Sequence, residues 1–398
     1  MENFARGRAQ FFVNKVNNLS MNIVIVIDLI DTLTNGSVIT ARRFADGLKS
    51  RGHCVKIVAV GADGEGDCPV KEQYLPILSE VSARSQVKFA KFEREKIKSA
   101  FTGANIIHFI FPFRFEKKCK ALADKMGIPT TAAFHVQPEN ISYNAHFGKS
   151  KLFNKLIYRY LRRFYRRFDR IHCPSDFIAN QLREHGYRGQ LYVISNGFDG
   201  EFKPATKNTE NEKFEIVMVG RLAPEKNQKV LISAIAGSKY RDKIHLTLCG
   251  NGTCKTKLEK QAQRDGVDIT FDFLPKPKLI EKLQNSDLYV HSATVEIEAI
   301  ACIEAIACGL VPVIADSALS ATPQFALDER SLFADNDSEE LTRKIDYWIE
   351  NGAEREKMGK VYAEYAKRFC LEKSLEKAEE MFADEIRSRT ANSIKKAE

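Results

Sequence analysis

The sequence predicts an α/β fold of two doubly wound domains with a cleft between them. Short hydrophobic runs alternate with helical patterns, which is typical of parallel strands joined by right-handed crossovers. The alternation starts at 21–30 and starts again at 214–222, and the polar segment 198–213 between the two series has the composition of a linker. A chain of 398 residues also exceeds one ordinary core.

Both series alternate predicted strands with predicted helices. The first has strands at 21–30, 54–61, 105–113, 130–136, 170–175 and 190–197, with helices at 37–53 and 117–129. The second has strands at 214–222, 243–252, 268–274, 287–293 and 311–316, followed by a helical tail. We therefore predict an N-terminal extension (1–20), a first domain (21–198), a second domain (199–370) and a C-terminal helix and tail (371–398).

Composition and motifs disfavour several classes of protein. The sequence contains no run of about 18 apolar residues, so no membrane-spanning helix is predicted. Residues 1–20 lack the apolar core of an export signal. The nine cysteines include no C-x-x-C pair, so we expect reduced thiols in the cytosol. P-loop, nucleophile-elbow and H-E-x-x-H motifs are absent. The triplet Asp335-Asn336-Asp337 precedes a predicted helix, where capping explains it better than metal binding.

The net charge of +9 is unevenly distributed along the chain. Residues 1–198 carry 31 Lys and Arg against 17 Asp and Glu, whereas the remaining residues carry 30 against 35. A basic half joined to an acidic half predicts that the first half meets nucleic acid or an anionic membrane surface. No nucleic-acid-reading motif is present, so we do not expect a nucleic-acid partner.

A basic amphipathic helix is predicted at 151–170. Its apolar face would consist of Leu152, Phe153, Leu156, Ile157, Tyr160, Phe164 and Phe168. Basic residues, which include Arg170, occupy the other face, and a helix of this kind is typical of membrane-surface elements. An ordinary domain helix with its apolar side in the core is the alternative. The predicted membrane-binding residues are Lys155, Arg159, Arg162, Arg163, Arg166 and Arg167.

Two cations, Arg221 and Lys226, lie between the strand 214–222 and the next predicted helix. Cations beside the positive end of a helix dipole favour an anion such as a diphosphate. Two solvated loop cations are the alternative interpretation.

Other candidate residues lie at the ends of predicted strands. The segment CGNGTCK, which contains Gly252, lacks the full glycine motif and by itself favours a tight turn over a phosphate cradle. The Asn35-Gly36 pair favours a tight turn too, but it precedes the first helix, where a ligand-approach loop is expected. His135 lies at the carboxyl end of the predicted strand 130–136 and is predicted to face the cleft, with a structural role as the alternative. His108 lies within a strand, where a structural role is favoured.

The segment EIEAIACIEAIACG, which begins at Glu296, places three carboxylates among small apolar residues. We predict a helix over about 299–308, with Gly309 as its C-terminal stop. Eight helical residues turn the chain about 800°, so Glu296 and Glu304 would lie about 80° apart and could share a ligand. Glu298 and Glu304 would lie on nearly opposite faces.

Taken together, these motifs resemble the retaining glycosyltransferases of family 4, which have the GT-B fold. The resemblance extends from Met21 to about Phe369. Its most specific element is the E-x7-E pattern of Glu296 and Glu304, followed by EAIACGLVPV. GRLAPEKN matches the family's G-R-x-x-x-x-K-N pattern, and ISNGFD is similar to its I-P-N-G-V-D segment at the crossing between the domains.

The resemblance implies two Rossmann-like domains facing a cleft, and a role for each matched residue. Glu304 would hold the ribose hydroxyls of a sugar nucleotide, and Glu296 and His135 would lie near the donor sugar. Arg221 and Lys226 would neutralise the departing diphosphate. No cofactor and no metal are expected, because two cations and a helix N-terminus replace the metal. Further donor contacts would come from Asn35, Gly36, Gly220, Gly252, Ala299 and Ile300.

The sequence departs from the family pattern in three places. Glu298 and Ala299 occupy positions where the family usually has an aromatic residue and a glycine. Ser317-Ala318 replaces a pair of glycines, and the Asn35-Gly36 loop lacks a second glycine. These replacements put backbone approach to the donor and details of the acceptor side in question.

Within the family, HVQPEN, EIEAIACIEAIACG and SATPQFALDERSLF are similar to bacterial diacylglycerol glucosyltransferases. We therefore expect transfer of glucose from UDP-glucose to 1,2-diacylglycerol by a peripheral enzyme on the cytoplasmic side of the cell membrane. The alternatives are a family member that uses a soluble or polyprenyl-linked glycan acceptor, and a catalytically silent accessory protein.

Overall fold

The computed structural model describes residues 20–31, 36–74, 88–144, 150–206 and 212–397. Two parallel sheets form the framework, one in each predicted domain, so the predicted fold class is confirmed. Asn35 and residues 1–19 lie outside the described residues.

The first sheet has seven strands in the order β3-β2-β1-β4-β5-β6-β7. They are β1 (Asn22–Leu29), β2 (Cys54–Val60), β3 (Cys68–Pro69), β4 (Ile106–Phe109), β5 (Thr130–Ala133), β6 (Arg170–Cys173) and β7 (Gln190–Val193). The helices around it are α1 (Gly36–Ser50), α2 (Arg94–Phe101), α3 (Arg114–Lys125), α4 (Pro138–Asn144), α5 (Lys151–Tyr165) and α6 (Asp176–Glu184). Seven of the eight residues of β1 are buried, because helices cover both faces of a doubly wound sheet.

The second sheet has six strands in the order β10-β9-β8-β11-β12-β13. They are β8 (Phe214–Val219), β9 (Ile244–Cys249), β10 (Ile269–Asp272), β11 (Leu288–His291), β12 (Pro312–Asp316) and β13 (Leu332–Ala334). The helices are α7 (Gln228–Gly237), α8 (Lys255–Asp265), α9 (Lys276–Asn285), α10 (Ile300–Ala307), α11 (Ser338–Glu350) and α12 (Gly352–Ala366). In both sheets the strand order reverses beside the first strand, and ligands of such sheets bind at that point beyond the carboxyl ends.

The last helix, α13 (Leu371–Ala397), returns to the first domain. Leu375, Met381 and Phe382 lie in the core that covers one face of the first sheet. Where the chain re-enters this domain, the N–H of Leu371 donates to the carbonyl of Phe198 at 2.9 Å. The two segments that cross between the domains therefore lie side by side.

Candidate functional site

The turn after β8 packs directly on the turn after β9. A Cβ on Gly250 would lie 1.9 Å from the carbonyl oxygen of Gly220, and one on Gly252 would lie 2.4 Å from that of Leu222. The glycines of CGNGTCK are therefore required for close packing of two backbone segments. Contact of Gly220 and Gly252 with a donor stays a prediction.

Arg221 is held at the carboxyl end of β8 by a buried acid. Its Nη2 donates to Oε1 of Glu225 at 2.7 Å, and the Glu225 side chain is fully buried. The Arg221 side chain itself is 34% exposed. Glu225 was not identified from the sequence. Its position in a polar turn, four residues after Arg221, could have indicated that the two side chains pair.

Lys226 and Glu296 form an ion pair between the first and fourth strand-end loops of the second domain. His291, the last residue of β11, approaches the same Glu296 oxygen with Nε2 at 3.1 Å. Burial alone would raise the pKa of Glu296, but Lys226 and His291 outweigh it and hold the pKa at about 2. Glu296 is therefore an anion at neutral pH. His291 was missed in the sequence, although the end of a parallel strand is where such residues are expected.

The predicted helix of EIEAIACIEAIACG is confirmed, since α10 spans Ile300–Ala307 and Gly309 follows with φ +90°. The helical rotation does not apply to the carboxylates, because Glu296 and Glu298 both precede the helix. A ligand shared by Glu296 and Glu304 stays a prediction. Ala299 adopts φ +70°, a left-handed conformation that favours glycine. The family's usual glycine at this position thus has a conformational reason, and this chain places an alanine there.

Glu304 contacts the first domain rather than the Lys226 side of the site. Its Oε1 lies 2.6 Å from Nη2 of Arg43 on α1, and both side chains are largely buried. Nη1 of Arg43 donates to the carbonyl of Gly197 at 2.9 Å. Arg43 carries no sequence signal, because it lies in an ordinary helix outside any motif.

Glu298 also reaches the segment that crosses between the domains. Its Oε2 accepts a hydrogen bond from the N–H of Asn196 at 2.8 Å. Burial raises the pKa of Glu298 to about 7, with bonds from Ser195 and Asn196 opposing the rise. Glu298 therefore bonds directly to Asn196, whereas Glu304 is linked to Gly197 through Arg43. The expectation of opposite helix faces does not apply, because Glu298 precedes the helix.

The N-terminal ends of α1 and α10 lie close together. A Cβ on Gly36 would lie 3.9 Å from Cδ1 of Ile300, the first residue of α10. The positive ends of two helix dipoles are therefore near each other, which favours an anion there.

His135 lies just beyond β5 and is 7% exposed. Its ring packs on His172, with centroids 5.4 Å apart, and its Nε2 has no hydrogen-bond partner within the described part of the chain. Burial and His172 lower the pKa of His135 to about 3, so its ring is neutral. Nearby, Nε2 of Gln137 donates to the carbonyl of Leu319 at 3.0 Å and joins this loop to the second domain. His108 is buried in β4, as predicted.

The predicted apolar face of α5 is partly wrong. Leu152, Leu156 and Tyr160 are 69%, 56% and 54% exposed. Phe164 and Phe168 are buried as predicted, but Tyr158, Leu161 and Tyr165 are buried as well. Tyr165 donates to the carbonyl of Ala133 at 2.9 Å and joins the helix to the sheet. The buried residues of α5 are Tyr158, Leu161, Phe164 and Tyr165. We call the exposed Leu152, Leu156 and Tyr160 the apolar stripe.

The cations of this helix are not equivalent. A surface depression of about 250 Å³ is lined by Arg159, Arg162, Arg163 and Arg166. Arg162 also donates to the carbonyl of His185 at 3.0 Å, and Arg167 pairs with Asp124 at 2.7 Å. Arg162 and Arg167, both predicted to bind the membrane, thus have partners within the protein. The predicted membrane-binding residues Lys155, Arg159, Arg163 and Arg166 are exposed to solvent. Across the described ranges, no helix combines the length and apolarity needed to cross a membrane.

Comparison with protein families decides the class of the chain. Residues 34–202 match the family described as Glycosyltransferase Family 4, and residues 199–365 match that described as Glycosyl transferases group 1. The two matches meet where the chain crosses between the sheets. The chain belongs to the GT-B glycosyltransferases.

Known proteins similar to this GT-B glycosyltransferase include the alpha-monoglucosyldiacylglycerol synthase of Streptococcus pneumoniae. It is 26% identical over 213 residues, which are 49% of this chain and 47% of that protein. The chain spans about half or less of the length of the curated relatives it matches.

Two solved structures support the same fold, and a third matches only part of the chain. The sucrose-phosphate synthase of Thermosynechococcus elongatus matches with a TM-score of 0.75 at 15% identity, over 92% of this chain and 100% of that one. Anabaena HepE in complex with UDP-glucose matches with a TM-score of 0.67 at 16% identity, over 92% and 100%. The catalytic domain of the Helicobacter pylori cholesterol-alpha-glucosyltransferase is 54% identical over 39% of this chain and 98% of that one, with a TM-score of 0.39.

Proposed function

We propose that this GT-B glycosyltransferase moves glucose from UDP-glucose to the hydroxyl of a membrane lipid, 1,2-diacylglycerol, with retention of the anomeric configuration. The observation that carries the transfer chemistry is the presence of two fixed cations beyond the carboxyl ends of β8 and β11, Arg221 paired with Glu225 and Lys226 paired with Glu296. The named activity of the pneumococcal relative supports a glucosyl donor and a diacylglycerol acceptor.

The charges of this site suit departure of a nucleoside diphosphate. When the glycosidic bond breaks, negative charge accumulates on the diphosphate, and fixed cations stabilise that charge most in a water-poor site. Arg221 and Lys226 are both fixed by carboxylate partners, so they need little reorganisation during the reaction. We propose that they replace a metal ion, and activity should therefore persist in EDTA.

The ionised Glu296 and the neutral His135 suit the sugar end of the donor. A carboxylate accepts hydrogen bonds from sugar hydroxyls, and a neutral imidazole can donate one and accept another. Both are buried, where each hydrogen bond is stronger than in water. Glu304 would accept from the ribose hydroxyls at the other end of the donor.

The apolar stripe and its flanking arginines suit an anionic membrane. Large apolar side chains exposed beside cations are typical of helices that lie in the interface between headgroups and acyl chains. Each cation near an anionic surface contributes about 1 kcal/mol to binding. We propose that α5 docks this peripheral enzyme on the cytoplasmic leaflet, where a lipid acceptor diffuses to the cleft.

The test is a matrix of donors and acceptors. Purified protein is incubated with UDP-glucose, UDP-galactose, UDP-N-acetylglucosamine or GDP-glucose, each with diacylglycerol, a sterol, a polyprenyl phosphate or a soluble saccharide. Products are identified by mass spectrometry and the anomeric configuration by NMR. We expect an α-glucoside of diacylglycerol from UDP-glucose alone, with and without EDTA.

Other outcomes would contradict parts of this proposal. Transfer to a sterol or polyprenyl carrier, with none to diacylglycerol, would overturn the acceptor. Transfer to soluble saccharides alone would overturn the membrane role. UDP binding without transfer to any acceptor would favour a catalytically silent accessory protein.

A further inference from the structure

One side chain of the first domain holds a carboxylate of the second. The Arg43 guanidinium bridges Oε1 of Glu304, at 2.6 Å, and the carbonyl of Gly197, at 2.9 Å. The Arg43 and Glu304 side chains are only 15% and 9% exposed. This is therefore a shielded ion pair whose geometry is fixed at both ends, unlike the solvent-screened pairs on the surface.

The surroundings of Glu304 make its charge depend on Arg43. Burial raises the pKa of Glu304, Arg43 opposes the rise, and the pKa remains above its ordinary value. Asp199 raises it further and Lys276 lowers it, but these two side chains pair with each other at 2.5 Å. Two further titratable neighbours, Tyr289 and Cys308, are neutral because burial raises their pKa values. Arg43 is thus the cation that most opposes protonation of this buried acid.

Ionisation matters for the ligand that Glu304 would hold. A carboxylate has two oxygens that each accept a hydrogen bond, so it can bind both hydroxyls of a vicinal diol. A protonated carboxyl group has lost part of that capacity, because one oxygen now carries a proton.

We propose that Arg43 is a positioning residue that keeps Glu304 ionised and oriented to bind the vicinal diol of the donor's ribose. This rests on the proposed function, which places the nucleotide at Glu304. Arg43 would thus let the first domain contribute to binding a nucleotide that the second domain mainly holds. Recognition of the ribose would then require the two domains to be in contact.

The opposite role for Arg43 would be to block the ribose site in the absence of the donor. An arginine that occupies Glu304 only until the donor arrives would compete with the ribose, and its removal would tighten nucleotide binding. The two roles therefore predict opposite signs.

The experiment measures equilibrium dissociation constants for UDP and 2′,3′-dideoxy-UDP between pH 5.5 and 8. Wild type should prefer UDP across this range, with a weaker dependence on pH than Arg43→Met. In Arg43→Met, UDP binding should weaken at least tenfold at pH 5.5, and the preference for UDP over the dideoxy analogue should fall towards one, recovering in part at pH 8. Glu304→Gln should lack the preference at every pH. Lys49→Met, which removes a cation from the same helix without contacting Glu304, should behave as wild type.

Tighter UDP binding by Arg43→Met, or a ribose preference with the wild-type size and pH profile, would overturn the proposal. Should Arg43→Met fail to fold, Arg43→Lys decides: it keeps the charge but not the two-point bridge, so a reduced preference without pH dependence is expected, and an unchanged or larger one contradicts the proposal. Failure of the wild type to bind UDP would instead overturn the proposed function, so the two failures are distinguishable.

Discussion

The carboxylate of Glu298 accepts a hydrogen bond from the backbone N–H of Asn196 at 2.8 Å, across the boundary between the two domains. Beside it, Ser175 donates to the carbonyl of Ile297 at 2.7 Å. The acid that replaces the family's usual aromatic residue therefore serves as a contact between domains.

Glu298→Gln should stabilise the protein at alkaline pH. The pKa of Glu298 is about 7 in the folded chain and near 4.5 when unfolded. Between these values the unfolded chain has released a proton that the native chain retains, so the Glu298 contribution to stability falls as pH rises from 4.5 to 7. Gln keeps an acceptor for Asn196 and removes the buried charge. We expect up to about 3 kcal/mol of stabilisation at pH 8 and almost none at pH 4.5.

Thermal unfolding of wild type and Glu298→Gln at pH 5 and pH 8 measures this difference. Asp265→Asn, at a half-buried carboxylate whose pKa is lowered by Arg264, is the control and should give no gain at pH 8. A Glu298→Gln protein that melts lower than wild type at pH 8 would show that the charge itself joins the domains.

Lys226→Met should reduce kcat for transfer by about a hundredfold or more, because a fixed cation at the diphosphate acts mainly in the transition state. The partner change Glu296→Gln leaves Lys226 without its anion. Because the two side chains contact each other, the double variant should lose much less than the sum of the single losses in free energy. Steady-state kinetics on the four proteins gives the coupling, and Lys257→Met on the exposed face of α8 is the control. Strict additivity would mean that the pair does not act as one unit.

Ala299→Gly should raise stability despite removing a buried methyl group. A left-handed conformation costs an L-residue other than glycine about 1–2 kcal/mol, and the family's usual residue removes that cost. Loss of the methyl packing and the greater freedom of unfolded glycine offset part of the gain. We expect a net stabilisation of roughly 0.5 kcal/mol by chemical denaturation. Ala305→Gly, in the interior of α10, should instead destabilise, and a loss of stability in both variants would argue against strain at Ala299.

Replacing the apolar stripe with serine, as Leu152→Ser, Leu156→Ser and Tyr160→Ser together, should weaken binding to anionic vesicles about tenfold or more. Each of these side chains would otherwise bury apolar area at about 25 cal/mol per Å². Because all three are exposed, the fold should be unaffected. Phe273→Ser with Val361→Ser removes exposed apolar groups from the second domain and should leave vesicle sedimentation unchanged.

A matched pair of double variants tests the electrostatic part of the proposed membrane contact. Arg163→Glu with Arg166→Glu should abolish sedimentation with anionic vesicles, whereas Lys257→Glu with Lys260→Glu, at the same spacing on α8, should not. Equal losses in both double variants would indicate net charge rather than a docking face. Sedimentation that survives both the charge and the stripe variants would place the membrane contact elsewhere.

The fold was predictable because its signals are local. Continuous buried strands such as β1, the stop at Gly309 and the side chain of Asp337, which accepts from the N–H of Glu340 at 2.9 Å and caps α11, all follow from a few neighbouring residues. The pairing of Lys226 with Glu296 could also have been predicted, because both residues follow strands that end at the same edge of a sheet.

What the sequence did not reveal depends on contacts distant along the chain. The spacing on α5 identified an amphipathic helix but not which side of it is buried. Leu152 and Leu161 could each belong to the buried side, and only packing against the sheet decides between them. Arg43 and Glu304 are 261 residues apart, so no local pattern could link them. Glu298 looked anomalous because its partner is a backbone N–H, which any residue at position 196 except proline would supply.

The central claim is that this chain transfers glucose to a lipid at a site that includes Glu304. The most direct measurement compares wild type, Glu304→Ala and the exposed control Glu259→Ala in mixed micelles of diacylglycerol and anionic lipid with radiolabelled UDP-glucose, with folding verified by circular dichroism. The account predicts lipid-linked α-glucose from wild type and Glu259→Ala, and at least about a hundredfold less from Glu304→Ala. Near wild-type transfer by a folded Glu304→Ala protein would contradict it.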